Sequence, residues 1–117
     1  MATRLAIGVA VLLVSANVQA QSVGGSYSVS GTNINGSAYS GTAQITAVGS
    51  GCRITWQTGS TSSTGVCMLA NKAFAASYQL SGATGMAIYE LHTDGSLHGW
   101  WTITDKTGVG TETLTPR

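Results

Sequence analysis

The sequence predicts an all-β domain: eight antiparallel strands in an up-and-down meander, closed into a barrel, with a two-layer β-sandwich as the alternative. Three observations carry this reading. Turn signals recur about every ten residues beyond residue 21, the spacing of an all-β sandwich or barrel. The segments between them are rich in Ser, Thr and Gly and alternate in polarity, with no heptad, no 3.6-residue period and no capped helical run. The connections are short, so each strand pairs with its neighbour in sequence, and closing an eight-stranded meander removes both exposed edges.

Met1 to Ala20 reads as an export signal. Arg4 supplies a positive start, Leu5 to Val14 is apolar, and Val18-Gln19-Ala20 ends in a small residue suited to cleavage before Gln21. The apolar run is shorter than the ~20 residues a membrane span needs, so no membrane insertion is expected after cleavage. The destination is the periplasm or the exterior. Residues 21–117 then form a single domain. Within it Arg53, Lys72, Lys106 and Arg117 balance Glu90, Asp94, Asp105 and Glu112. Without a basic stripe, electrostatic nucleic-acid binding has no driving force.

The first strand, Gly25 to Thr32, alternates Tyr27 and Val29 against serines. Asn35-Gly36 turns the chain into Ser37 to Val48, where Gly41 marks a bulge or bend. Gly49-Ser50-Gly51 leads to Cys52 to Thr58, Gly59-Ser60 makes a II′-type turn, and Thr61 to Leu69 returns. The midpoint of Cys52 and Cys67 coincides with that turn, so the two cysteines oppose each other across the hairpin. Opposed residues have Cα atoms about 4.5–5.5 Å apart, inside the range of about 4.4–6.8 Å that a disulfide spans. An even cysteine count in an exported chain favours the same bond. Phe74 to Leu80 follows, and Val109 to Leu114 closes the series, alternating Gly110, Glu112 and Leu114 against Val109, Thr111 and Thr113.

Between them, Gly85 to Thr104 forms a hairpin around Asp94-Gly95. A two-residue type I′ turn there pairs Thr93 with Ser96, Glu90 with Gly99, Tyr89 with Trp100 and Ile88 with Trp101. One face then holds Met86, Ile88, Leu97, Trp101 and Ile103, assigned to the core. The other holds Ala87, Tyr89, Leu91, His98 and Trp100. A half-exposed hairpin needs only one apolar face. The clustered residues Tyr89, Leu91, His98 and Trp100 are therefore the candidate binding surface, for a protein partner or a second copy of the chain.

Tyr39-Ser40-Gly41-Thr42 with Ile45-Thr46, Ile54-Thr55-Trp56, Ile88-Tyr89-Glu90, Asp94-Gly95-Ser96-Leu97 with Gly99 and Trp101-Thr102, and Gly108 to Leu114 together resemble a family of small exported bacterial β-domains, some labelled fibronectin-binding. The resemblance covers nearly all of residues 21–117 and implies a non-catalytic protein-binding or adhesion module. It brings no catalytic residues, and the family pattern does not require Cys52 and Cys67. Gly99-Trp100-Trp101 is also similar to the Gly-x-Trp signature of lipocalins and avidins, which implies a small-ligand carrier, although the partners of that signature are not matched here.

Catalytic and metal chemistry find little footing. There is no Gly-x-Ser-x-Gly elbow and no Ser-x-x-Lys. His92 and His98 fall on opposite faces in the expected register, two cysteines make a poor zinc site, and no cofactor is implied. Glu90, if it faces inward, would orient a polar ligand inside a barrel; a rim carboxylate is the plainer reading. Trp56, Trp101, Tyr39 and Tyr78 are expected to fill the core. The expectation is an exported non-catalytic binding protein, an adhesion-type module first, with a lipocalin- or avidin-like carrier or a periplasmic enzyme inhibitor as alternatives.

Overall fold

The computed structural model describes residues 22–117; the expected export signal lies outside them. Eight strands, β1 (Gly25–Thr32), β2 (Ala38–Val48), β3 (Gly51–Thr58), β4 (Thr61–Ala70), β5 (Ala73–Leu80), β6 (Ala83–Leu91), β7 (Leu97–Ile103) and β8 (Gly110–Pro116), run in an antiparallel meander. The sheet closes on itself where β1 pairs β8, from Tyr27 opposite Pro116 to Thr32 opposite Thr111. The closed barrel holds, and the sandwich alternative falls.

Turn chemistry sets the registers. Two-residue turns join β2 to β3, β3 to β4, β4 to β5 and β5 to β6. Gly59 takes φ +60°, as the first position of a II′ turn demands. The register that follows places Cys52 opposite Cys67, and the two form a disulfide with Cα atoms 4.9 Å apart.

The β6–β7 hairpin departs from expectation by one residue. His92 N–H donates to the Ser96 carbonyl and Gly95 N–H to the His92 carbonyl, so the loop is Thr93-Asp94-Gly95, three residues long. Gly95 adopts φ +88°, the left-handed position of a type I turn followed by a bulge. Asp94 Oδ1 locks the loop by accepting from both the backbone and the hydroxyl of Ser96. The added residue pairs Tyr89 with Gly99 and Ile88 with Trp100. A one-residue slip turns every side chain of a strand to the opposite face. Ala87, Tyr89 and Leu91 therefore point inward and are buried, while Met86 and Ile88 are exposed. The β7 assignment stands: Leu97 is buried, Trp101 faces in and Trp100 faces out.

The interior is packed at one end only. Ile45, Ile54, Phe74, Leu97 and Leu114 are fully buried and, with Tyr27, Leu91 and the disulfide, make a dense floor near the turns at 49–50, 71–72 and 92–96. Each such side chain contributes about 1.5–3 kcal/mol of transfer free energy. Toward the opposite end the inward positions become aromatic or hydroxylic, and the barrel is hollow.

Candidate functional site

The hollow end is a cavity of about 600 Å³, lined toward the turns by Asn33, Ala38, residues 58–61, Leu80 and Ile103. Its walls are aromatic. Tyr39, Tyr78 and Trp101 each sit opposite a glycine of the adjoining strand, Gly31, Gly85 and Gly110. A Cβ at any of these glycines would strike the ring across from it, so the rings lie against the barrel wall and leave the lumen clear. Tyr39 and Trp101 meet edge to face at 6.2 Å, as do Trp56 and Tyr78 at 5.1 Å. Of the four aromatic residues expected in the core, Trp56 and Tyr78 are buried members of it and Tyr39 and Trp101 pack against it, and all four also line the cavity.

At the base of the cavity is Glu112, 6% exposed. Three donors from three other strands converge on it. Trp56 Nε1 donates to Oε2 at 2.8 Å, Tyr89 Oη donates to Oε2 at 2.6 Å, and Tyr39 Oη donates to Oε1 at 2.6 Å. The network answers the rule that a buried charge needs hydrogen-bonding partners. It also acts back on the phenols. Burial, then the nearby Glu112 charge, pushes Tyr78 up to about 12, and the same causes in the same order raise Tyr39 and Tyr89 further. All three remain protonated at neutral pH, so Tyr39 and Tyr89 act as donors.

The structure divides the expected binding surface. Tyr89 lines the cavity as a Glu112 donor and Leu91 belongs to the floor. His98 and Trp100, 58% exposed, are on the outer wall. Trp100 stands beside Ile88 rather than Tyr89. Met68, Ala75, Ile88 and Trp100 form one row across four strands, with Val66 and Met86 in the next row. His92 and His98 also depart from expectation, since their rings stack at 4.0 Å on the outside of the barrel. Beside them, His92 Nε2 is 3.4 Å from the exposed Glu90 carboxylate. The inward carboxylate is Glu112, not Glu90. The sequence analysis assigns Glu112 no face; its alternation with Gly110 and Leu114, both buried, is the signal that could have found it.

No family model matches the chain, and no curated protein matches it in sequence, so no family match stands behind the resemblance to fibronectin-binding-labelled domains. Solved structures do match in fold. A de novo designed fluorescence-activating beta barrel superposes with a TM-score of 0.64 at 15% identity, covering 84% of this chain and 96% of that one. The wild-type fluorescent protein UnaG superposes with a TM-score of 0.51 at 14% identity, covering 80% and 96%. At this identity the likeness is one of fold alone.

Proposed function

We propose that the protein is a non-catalytic carrier that binds a small molecule inside its barrel. The observation that carries this reading is the cavity itself: about 600 Å³, open at one end, aromatic-walled, with a few convergent polar groups at its base. Ligand sites typically have about 300–1,000 Å³ and this mixture of apolar wall and sparse polar contacts. The similar designed barrel is described as fluorescence-activating, which accords with an occupied interior. The disulfide suits an oxidising compartment, in keeping with a periplasmic or secreted carrier. Titrating the whole chain with Nile red, a neutral aromatic dye, tests the reading through dye emission. Ser63 lines the cavity opposite Trp56, so Ser63→Phe should fill the lumen and abolish dye uptake without unfolding the barrel. Absence of saturable uptake, or uptake indifferent to Ser63→Phe, would refute an interior site.

A second reading rests on the outer wall. Val66, Met68, Met86, Ile88 and Trp100 are each at least half exposed, and the two rows they occupy on β4 to β7 contain no charged residue. We propose a second copy of the chain as its occupant, because an uncharged strip can face its own image without like charges meeting. Sedimentation velocity of the wild type should show a dimer that Trp100→Glu dissociates. A wild type that stays monomeric at high concentration refutes this.

A further inference from the structure

Among the described residues, the Glu112 carboxylate is withdrawn from water with no cation beside it. Its three partners are neutral donors, and none of the residues lining the cavity is Lys, Arg or His. The domain's four strong cations, Arg53, Lys72, Lys106 and Arg117, all lie elsewhere than the cavity lining. A carboxylate offers about four lone-pair positions. Oε2 has used two and Oε1 one, which leaves one acceptor position on Oε1. At the base of the cavity the donors that could greet an anionic ligand, the Tyr39 and Tyr89 hydroxyls and the Trp56 indole N–H, are already committed to Glu112, and the other polar lining residues, such as Ser40 and Ser63, are neutral.

We infer that the cavity selects ligands carrying a cationic or N–H-donating nitrogen on a flat aromatic body, with that nitrogen held at Glu112. The inference rests on the reading of the barrel as a small-molecule carrier and names the ligand class. Two features of the wall act in the same direction. The faces of Tyr39, Trp101, Trp56 and Tyr78 attract a cation through their ring quadrupoles and stack on a planar body. The Glu112 charge, poorly screened in a narrow lumen, repels a carboxylate or sulfonate at the same place. An incoming ammonium or amidinium supplies the compensating charge that the fold omits, through a charge-assisted hydrogen bond.

Three aromatic probes of different charge test this on the whole chain at neutral pH: the dication 4′,6-diamidino-2-phenylindole, neutral Nile red and the anion 1-anilinonaphthalene-8-sulfonate. The dication should bind at least about tenfold more tightly than the anion, the separation expected when one ligand gains and the other loses a charge-assisted bond. Glu112→Gln should weaken the dication by about tenfold or more and shrink its advantage over the anion accordingly. If Nile red binds but the dication has no advantage over the anion, or is indifferent to Glu112→Gln, the charge selectivity is wrong while the carrier reading survives. If none of the three binds saturably, both are wrong. Should Glu112→Gln fail to fold, the comparison of the three probes on the wild type still decides the matter.

Discussion

Replacing Glu112 by alanine should destabilise the barrel more than replacing it by glutamine, and the hydrogen bonds show why. Alanine orphans the Trp56 indole N–H and the Tyr89 hydroxyl, both on buried side chains. Tyr39 suffers less, because its hydroxyl also lies 3.4 Å from the Thr111 carbonyl. Each orphaned buried donor costs about 1–3 kcal/mol, so the pair costs about 2–6 kcal/mol before relaxation. Water entering from the adjoining cavity restores part of this, and removing a desolvated charge restores more, so about 2–4 kcal/mol is expected. Glutamine can turn its carbonyl toward Trp56 and Tyr89 and its amide toward Tyr39, whose hydroxyl then accepts. That arrangement leaves none of the donors of Trp56, Tyr89 and Tyr39 unpaired and should cost about 1 kcal/mol, the ordinary worth of one hydrogen bond. Equilibrium urea unfolding followed by tryptophan emission, compared at a common slope, measures both. Alanine within about 0.5 kcal/mol of wild type, the range of an inert surface change, would refute the network's role. So would glutamine as damaging as alanine.

Three further outcomes are expected. Trp101→Ala should cost about 2–3 kcal/mol, less than a fully buried tryptophan because one side faces the cavity, whereas Trp100→Ala should leave monomer stability within about 0.5 kcal/mol; the reverse ranking in urea would invert the facing of β7. Unfolded phenols ionise near 10, while Tyr78 is held up to about 12 and Tyr39 and Tyr89 are also raised. The native state thus retains protons that the unfolded state loses, so stability present below pH 10 should fall as pH rises through 10 to 12. Tyrosinate absorbance should appear together with loss of the sheet signal in circular dichroism, and reversible ionisation of all these phenols near pH 10 in the folded state would contradict it. Reducing the Cys52–Cys67 bond, which closes a 15-residue separation, should lower stability by about 3 kcal/mol at most; unchanged urea midpoints with and without reductant would show that the cross-link contributes nothing.

Much of the barrel was legible because its turns are local. Gly59-Ser60 allows one register, and the cysteine positions check it independently. Asp94-Gly95 suggested the wrong loop length because the deciding contact is made by Ser96, whose backbone and hydroxyl both donate to the Asp94 side chain. Asn35 and Ser37 repeat that arrangement in the β1–β2 loop, so the recurring Asx-Gly-Ser was a usable sign of the three-residue form. The resulting slip misplaced Tyr89 and Leu91 and hid the Met86 and Ile88 side of the outer wall. Period-two alternation groups Glu112 with Gly110 and Leu114 but does not assign which of the two faces turns inward. That alternation carries no information about which residues of other strands lie at the same depth. The meeting of Tyr39, Trp56 and Tyr89 on one carboxylate depends on the stagger of the closed sheet, a global quantity that no single hairpin reveals.

Seven of the eight strand pairings join neighbours in sequence, and only β1 with β8 brings distant residues together, as in Ser30 opposite Thr113. That asymmetry has a kinetic consequence. Hairpins form in about 1–10 μs and can zip onto one another without closing a long loop. The conformational entropy of joining distant segments is then concentrated at a single seam. Until that seam shuts, β1 and β8 present open strand edges, and the intermediate is exposed to pairing with other chains. Substitutions on either side of the seam should therefore slow folding, whereas equally destabilising ones at the β3–β4 hairpin, formed early, should resemble them in equilibrium stability and differ in the rate of closure.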